Sequence, residues 1–102
     1  MIRFKDLDPL LHSQLRLAIV SLLVSTENAE FTYIMEQTGA TAGNLSTQIT
    51  KLKEAGYIKV EKKFRNNYPL TRAKITDLGK RQFIKYVSDL AGYINPDQAQ
   101  GT

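Results

Sequence analysis

Asn44, Thr47, Gln48 and Lys51 share a segment with Leu45, Ile49 and Leu52. On a helix the three aliphatic residues, four and three apart, make one narrow buried stripe. The amide, hydroxyl and ammonium groups then fall on the opposite side, with Ser46 and Thr50 at the flanks. Groups of this kind reach base edges and phosphates in the major groove of a DNA duplex. Gln48 has the two-point chemistry for adenine, and Lys51 suits guanine or phosphate. Thr41 and Asn44, at the start of the helix, suit phosphate oxygens. The competing reading is an ordinary solvated helix face.

A second cluster follows at once. Lys62, Lys63 and Arg65 lead to Asn66 and Asn67, and Arg72 follows a few residues later. Of the fourteen Lys and Arg in the 102-residue chain, eleven lie within residues 51–85, against three of the ten acids. That third of the sequence carries +8 and the remainder −4, giving the net +4. Charge polarised in this way points to a polyanion as the partner of one segment. Basic groups at a hairpin tip suit phosphates or the minor groove. Lysines on an exposed strand also guard a sheet edge against pairing with another chain, and the two roles are compatible. Tyr68 either stacks on a sugar or packs the base of the hairpin.

The elements that must position these groups are legible in outline. Asp8-Pro9 offers one helix start and Ser13 a second, with a bend near His12. The helix through Leu15, Leu17, Ile19, Val20, Leu22 and Leu23 is apolar around most of its circumference, so it is buried on more than one side. Ser25 to Glu30 reads as a polar loop, Phe31 as an anchor in a short strand, and Thr32 to Gln37 as a short helix ended by Thr38-Gly39. Thr41 caps the next helix, residues 41–55, closed by Ala55-Gly56. Tyr57 to Phe64 and Leu70 to Ile75 read as strands joined by a turn over Arg65–Pro69. Thr76-Asp77 caps a last helix that Asn95-Pro96 stops. The order is that of a winged helix-turn-helix: mainly α with a small β-hairpin wing, helices at both termini and a three-helix core. Residues 1–102 read as a single domain with its core at about 8–94 and a frayed tail at 95–102. The helix over 41–55 is the expected recognition helix and residues 62–72 the expected basic wing.

The stretch Thr38-Gly39-Ala40-Thr41-Ala42-Gly43-Asn44-Leu45-Ser46-Thr47-Gln48-Ile49, then Leu52-Lys53-Glu54-Ala55-Gly56-Tyr57-Ile58, resembles the recognition-helix region of small stand-alone winged-helix transcriptional regulators of the MarR/ArsR-like kind. The likeness continues into Ile75-Thr76-Asp77-Leu78-Gly79, which is similar to the "Leu-Thr-x-x-Gly" start of that family's last helix, and covers roughly residues 8–94. His12 to Leu23 is similar to the first helix, with Arg16 at its basic position. The resemblance implies sequence-specific binding of double-stranded DNA, most commonly as a repressor that occupies a promoter. Where the family often has a basic residue after the wing proline, this chain has Leu70, which passes the implied phosphate contact to Arg65 or Arg72. The absence of cysteine separates it from metal-sensing and thiol-sensing relatives. A small-molecule effector between dimer helices is compatible with the resemblance, and no residue points to a particular compound.

The first and last helices carry more apolar surface than one small core hides, which predicts a homodimer. Its expected interface comprises Leu10, Leu11, Leu15, Ile19, Leu22, Phe83, Tyr86, Val87, Leu90, Tyr93 and Ile94. A two-fold dimer would set two recognition helices in successive major grooves. Several classes are excluded. Zero Cys and one His rule out a disulfide framework, a thiolate metal site and a multi-histidine metal site. The acids show no paired spacing and no Gly-rich loop follows a strand, so no enzyme, cofactor or metal is expected. No apolar run approaches a membrane span, and Met1-Ile2-Arg3-Phe4-Lys5-Asp6 lacks the apolar stretch of a signal peptide, so a cytoplasmic protein without membrane contact is expected. The rival is a winged helix used for protein–protein contact within a larger complex, which would want apolar residues on the outer face of the third helix. An RNA-binding role would want exposed stacking aromatics there.

Overall fold

The computed structural model describes residues 4–96; the expected tail lies, from residue 97 on, outside the described residues. The order is α1 (Gln14–Thr26), β1 (Asn28–Glu30), α2 (Phe31–Thr38), α3 (Ala42–Glu54), β2 (Ile58–Arg65), β3 (Tyr68–Ile75) and α4 (Asp77–Ile94). The strands form one antiparallel sheet in the order β1-β3-β2. This is the winged helix-turn-helix architecture expected, with one strand more.

Three assignments are corrected around that strand. Asn28–Glu30 is paired with Arg72–Lys74 rather than looped. Phe31 opens α2 instead of lying in a strand, and Glu30 rather than Thr32 stands at the helix cap. Three residues are too few to show a strand period, and only Ala29 is buried, opposite Ala73.

Asp8 and Ser13 divide the entry to α1 between them. Asp8 Oδ1 accepts from the Leu10 amide at 2.8 Å, and the His12 amide donates to the Asp8 carbonyl at 2.8 Å. One turn forms, the chain bends, and α1 starts after Ser13. Its residues Ile19, Val20 and Leu23 are buried beside Leu11, Ile34, Leu45, Leu52 and Ile58, where α1 packs on α2, α3 and the sheet.

The hairpin turn is tighter than expected. Asn66 and Asn67 have φ of 51° and 66°, so two residues in the left-handed region close it. Such turns match the twist of the strands they join, and Asn tolerates that region better than most residues. Pro69 therefore lies inside β3, opposite Phe64. It is tolerated because β1 reaches only the Arg72–Lys74 end of β3, leaving the other side open at Pro69.

The start of α4 is locked to the hairpin base. The Thr76 hydroxyl shares its one proton between the carbonyls of Gly56 (2.6 Å) and Tyr57 (2.9 Å) and accepts from the Gly79 amide at 3.0 Å. Gly79 has no room for a side chain: a β-carbon would lie 2.2 Å from the Tyr57 carbonyl oxygen and 2.8 Å from Ile75 Cδ1. The Thr-x-x-Gly spacing is a cap and a close approach in one motif.

Candidate nucleic-acid interface

Thr41 caps α3 by accepting from the Asn44 amide at 3.2 Å, and Leu45, Ile49 and Leu52 are buried along one side, as their spacing predicts. Thr41, Asn44, Ser46, Thr47, Thr50 and Lys51 are exposed on the remaining surface. Thr47 and Thr50 spend their hydroxyl protons on the carbonyls of Gly43 (3.0 Å) and Ser46 (2.9 Å). Their oxygens thus face outward as acceptors.

Gln48 is placed differently from its neighbours. It is half-buried on the flank facing α1. Its Oε1 accepts from an Arg16 terminal nitrogen at 2.6 Å, and its Nε2 donates to Asn44 Oδ1 at 3.1 Å. The same guanidinium donates through Nε to the Leu10 carbonyl at 2.6 Å. Arg16 lies 32 residues upstream, and only a helix packed across α3 brings it there. The basic position in α1 was the one signal in the sequence; its partner was not.

The wing sorts its side chains by strand register. Residues paired across the hairpin share a face. Ile58/Ile75 and Val60/Ala73 continue outward on the core side as Lys62/Thr71, and beyond them Phe64/Pro69 are exposed next to the tip. Lys59/Lys74, Glu61/Arg72, Lys63/Leu70 and Arg65/Tyr68 occupy the other side. Lys62 accordingly meets α3: an open cavity of about 370 Å³ is lined by Ser46, Ile49, Thr50 and Lys53 of α3, Phe31 of α2, and Val60, Lys62 and Thr71 of the wing. Lys63, Arg65 and Arg72 line a separate groove on the opposite face, with Asn28, Glu61, Phe64, Leu70 and Lys74. There Glu30 Oε1 lies 3.0 Å from Arg65 and 3.3 Å from Arg72, while Arg72 also donates to Asn28 Oδ1. Lys63 pairs with Glu61 at 3.5 Å. The cations expected to act together thus split between two faces, with Asn66 and Asn67 at the shared tip. Tyr68 is 74% exposed there and packs nothing at the wing base.

A family model described as a winged helix DNA-binding domain matches residues 15–94. The chain belongs to that family. The winged helix is 33% identical over 79 residues to an uncharacterized protein of Methanocaldococcus jannaschii, covering 78% of this chain and 86% of that one. A solved transcriptional regulator homologue from Pyrococcus horikoshii OT3 superposes with a TM-score of 0.80 at 30% identity, over 85% of this chain and 86% of that one. The YusO protein of Bacillus subtilis shares the fold alone, at TM-score 0.66 and 14% identity over 93% of this chain and 69% of that one.

The remaining expected contacts of the winged helix concern its outer helices. Leu11 and Ile19 are fully buried and Tyr86 is 4% exposed, so these three belong to the chain's own core and offer no surface to a second copy. The Tyr86 hydroxyl also meets His12 Nδ1 at 2.9 Å. Leu10, Leu15, Leu22, Phe83 and Leu90 are half-buried against that core. Tyr93 donates to the Lys5 carbonyl at 2.6 Å and packs its ring on Phe4, 4.9 Å between centroids, which ties it to the segment preceding α1. Val87 and Ile94 are exposed, and so are Ile84 and Ala91, which complete their stripe.

Burial and a hydrogen bond to Asp8 at 2.5 Å push the Tyr57 hydroxyl up to about 12. Among the described residues, no cluster of three or more His, Asp or Glu side chains could hold a metal ion, and no helix is long and apolar enough to cross a membrane.

Proposed function

We propose that this winged helix is a sequence-specific double-stranded DNA-binding transcriptional regulator that works as a homodimer and represses by occupying a promoter. The observation that carries the reading is the cleft where exposed hydroxyls of α3 and Lys53 face Lys62 of the wing. A polar helix crest beside a basic wing presents base-reading and phosphate-binding groups to one duplex. In this reading Thr41, Asn44, Ser46, Thr47, Gln48, Thr50 and Lys51 serve the major groove, and Lys62 with the tip residues Asn66 and Asn67 serves the backbone. Lys63, Arg65 and Arg72 approach the duplex from the far side of the wing, as long-range charge. In the same reading the role is binding rather than catalysis, residues 8–94 act as one unit, and the protein works in the cytoplasm.

The dimer is supported by α4. Ile84, Val87, Ala91 and Ile94 recur three, four and three residues apart, and all are exposed, Ile84 by 66% and Ile94 by 71%. That is the spacing of a helix–helix seam.

The test is titration of a mixed-sequence duplex by fluorescence anisotropy at 50 and 200 mM salt. Affinity is expected to fall about 100-fold or more as phosphate contacts release counterions. Salt-independent binding, or none at either concentration, overturns the reading.

A further inference from the structure

We propose that Arg16 sets the recognition helix to read guanine, an inference that rests on the DNA-binding reading above. Arg16 is held at two points, by the Leu10 carbonyl and by Gln48 Oε1, each at 2.6 Å. A guanidinium only donates, so the amide orientation of Gln48 follows from chemistry: its oxygen faces Arg16 and its nitrogen faces away. That nitrogen donates to Asn44 Oδ1 at 3.1 Å, which orients the second amide in the same sense. The three side chains form a relay of bonds that all point one way, each polarising the next.

The relay has a chemical consequence at its exposed end. Both amide oxygens are turned toward a donor within the protein. What remains for a partner is one N–H of Gln48 and both N–H groups of Asn44, which is exposed on the first turn of α3. The pairing with adenine expected from Gln48 alone requires an amide oxygen facing the groove beside the N–H, and Arg16 withholds it. In the major groove adenine offers one acceptor and one donor, cytosine a donor, thymine one acceptor beside a methyl group, and guanine two acceptors, N7 and O6. A donor-only pair is matched fully by guanine. Against adenine it sets donor against donor, which leaves buried polar groups unpaired.

The experiment is selection of duplex sites from a random library by the full chain. Anisotropy titrations of the selected site and of its guanine-to-adenine exchange follow. One fixed guanine per half-site is expected, and the exchange should weaken binding roughly 5- to 150-fold, the range for a two-point base contact. In Arg16→Met the amide of Gln48 is released, and the preference should fall below about two-fold or invert toward adenine. Asn44→Asp keeps the acceptor for Gln48 but carries no donor; it sits on an exposed position and should also lose the preference, which keeps the test decisive if Arg16→Met fails to fold. Adenine at the fixed position overturns the proposal, as does a guanine preference that survives in folded Arg16→Met. Salt-dependent binding with no base preference means the donors meet phosphate, which overturns the guanine assignment and leaves the DNA-binding reading standing. Failure to bind any duplex overturns both.

Discussion

Gly79 lies directly against the backbone of Tyr57, closer than any residue with a side chain could. A β-carbon at Gly79 would stand 2.2 Å from the Tyr57 carbonyl oxygen, and backbone cannot yield as a flexible side chain does. Gly79→Ala should therefore destabilise the fold by at least about 1–3 kcal/mol, the cost of overpacking. Gly43 is the control, since nothing lies within 4 Å of a β-carbon there. Gly43→Ala should stabilise by up to about 1 kcal/mol through helix propensity. Thermal denaturation of both variants checks the pair; equal shifts would count against the close approach.

Lys62 and Lys63 are neighbours in sequence and lie on opposite faces of the wing. Lys62→Ala should weaken binding to all duplexes and reduce the salt slope by about 1, the signature of a lost phosphate contact. Lys63→Ala should do less. Titrations of both variants at several salt concentrations separate them, and identical losses would contradict the two-faced wing.

Glu30 holds Arg65 and Arg72 on the far face. Partly exposed ion pairs contribute little to stability, so Glu30→Gln should change it by under about 1 kcal/mol. It also removes a negative charge from a basic surface, and affinity for all sequences should rise at low salt. Anisotropy alongside a urea melt reads both effects. Unchanged or weaker binding would show that Glu30 positions the arginines productively.

Tyr57 predicts a loss of stability at alkaline pH. The folded protein holds its hydroxyl proton to about pH 12, whereas the unfolded chain releases it near the ordinary value of 10. The contribution is whole below pH 10 and is lost as pH rises from about 10 to 12. At most it amounts to about 2–3 kcal/mol. Urea denaturation of the parent chain and of Tyr57→Phe between pH 8 and 11.5 isolates it. Their difference should shrink with rising pH, and a constant difference refutes the assignment.

Ile84 is the most instructive position for self-association, being 66% exposed on α4. Ile84→Glu should yield a monomer by sedimentation while leaving the thermal transition of a dilute sample nearly unchanged. A parent chain already monomeric at micromolar concentration would rule out the seam.

What could be read in the sequence were features with a period or a cap. Leu45, Ile49 and Leu52 fixed which side of α3 is buried, and Thr41 and Thr76 fixed where α3 and α4 begin. What escaped depended on contacts far apart in the chain. β1 is too short to carry a pattern and exists because Asn28–Glu30 finds the backbone of β3. Gln48 looked free because Arg16 reaches it from another helix. Leu11, Ile19 and Tyr86 looked like surplus apolar surface, because counting such residues does not reveal how many a small core absorbs. The Asn66-Asn67 turn was misjudged by Pro69, whose tolerance depends on where β1 stops.

The alternation of the hairpin has a wider meaning. Composition assigns the wing one charge, but parity along the strand assigns it two faces, because Val60, Lys62 and Thr71 turn toward α3 while Glu61, Lys63, Arg72 and Lys74 turn away. A cation is thus routed by whether its number is odd or even. Moving Lys62 by a single place would keep the net charge and send the ammonium to the other side of the protein.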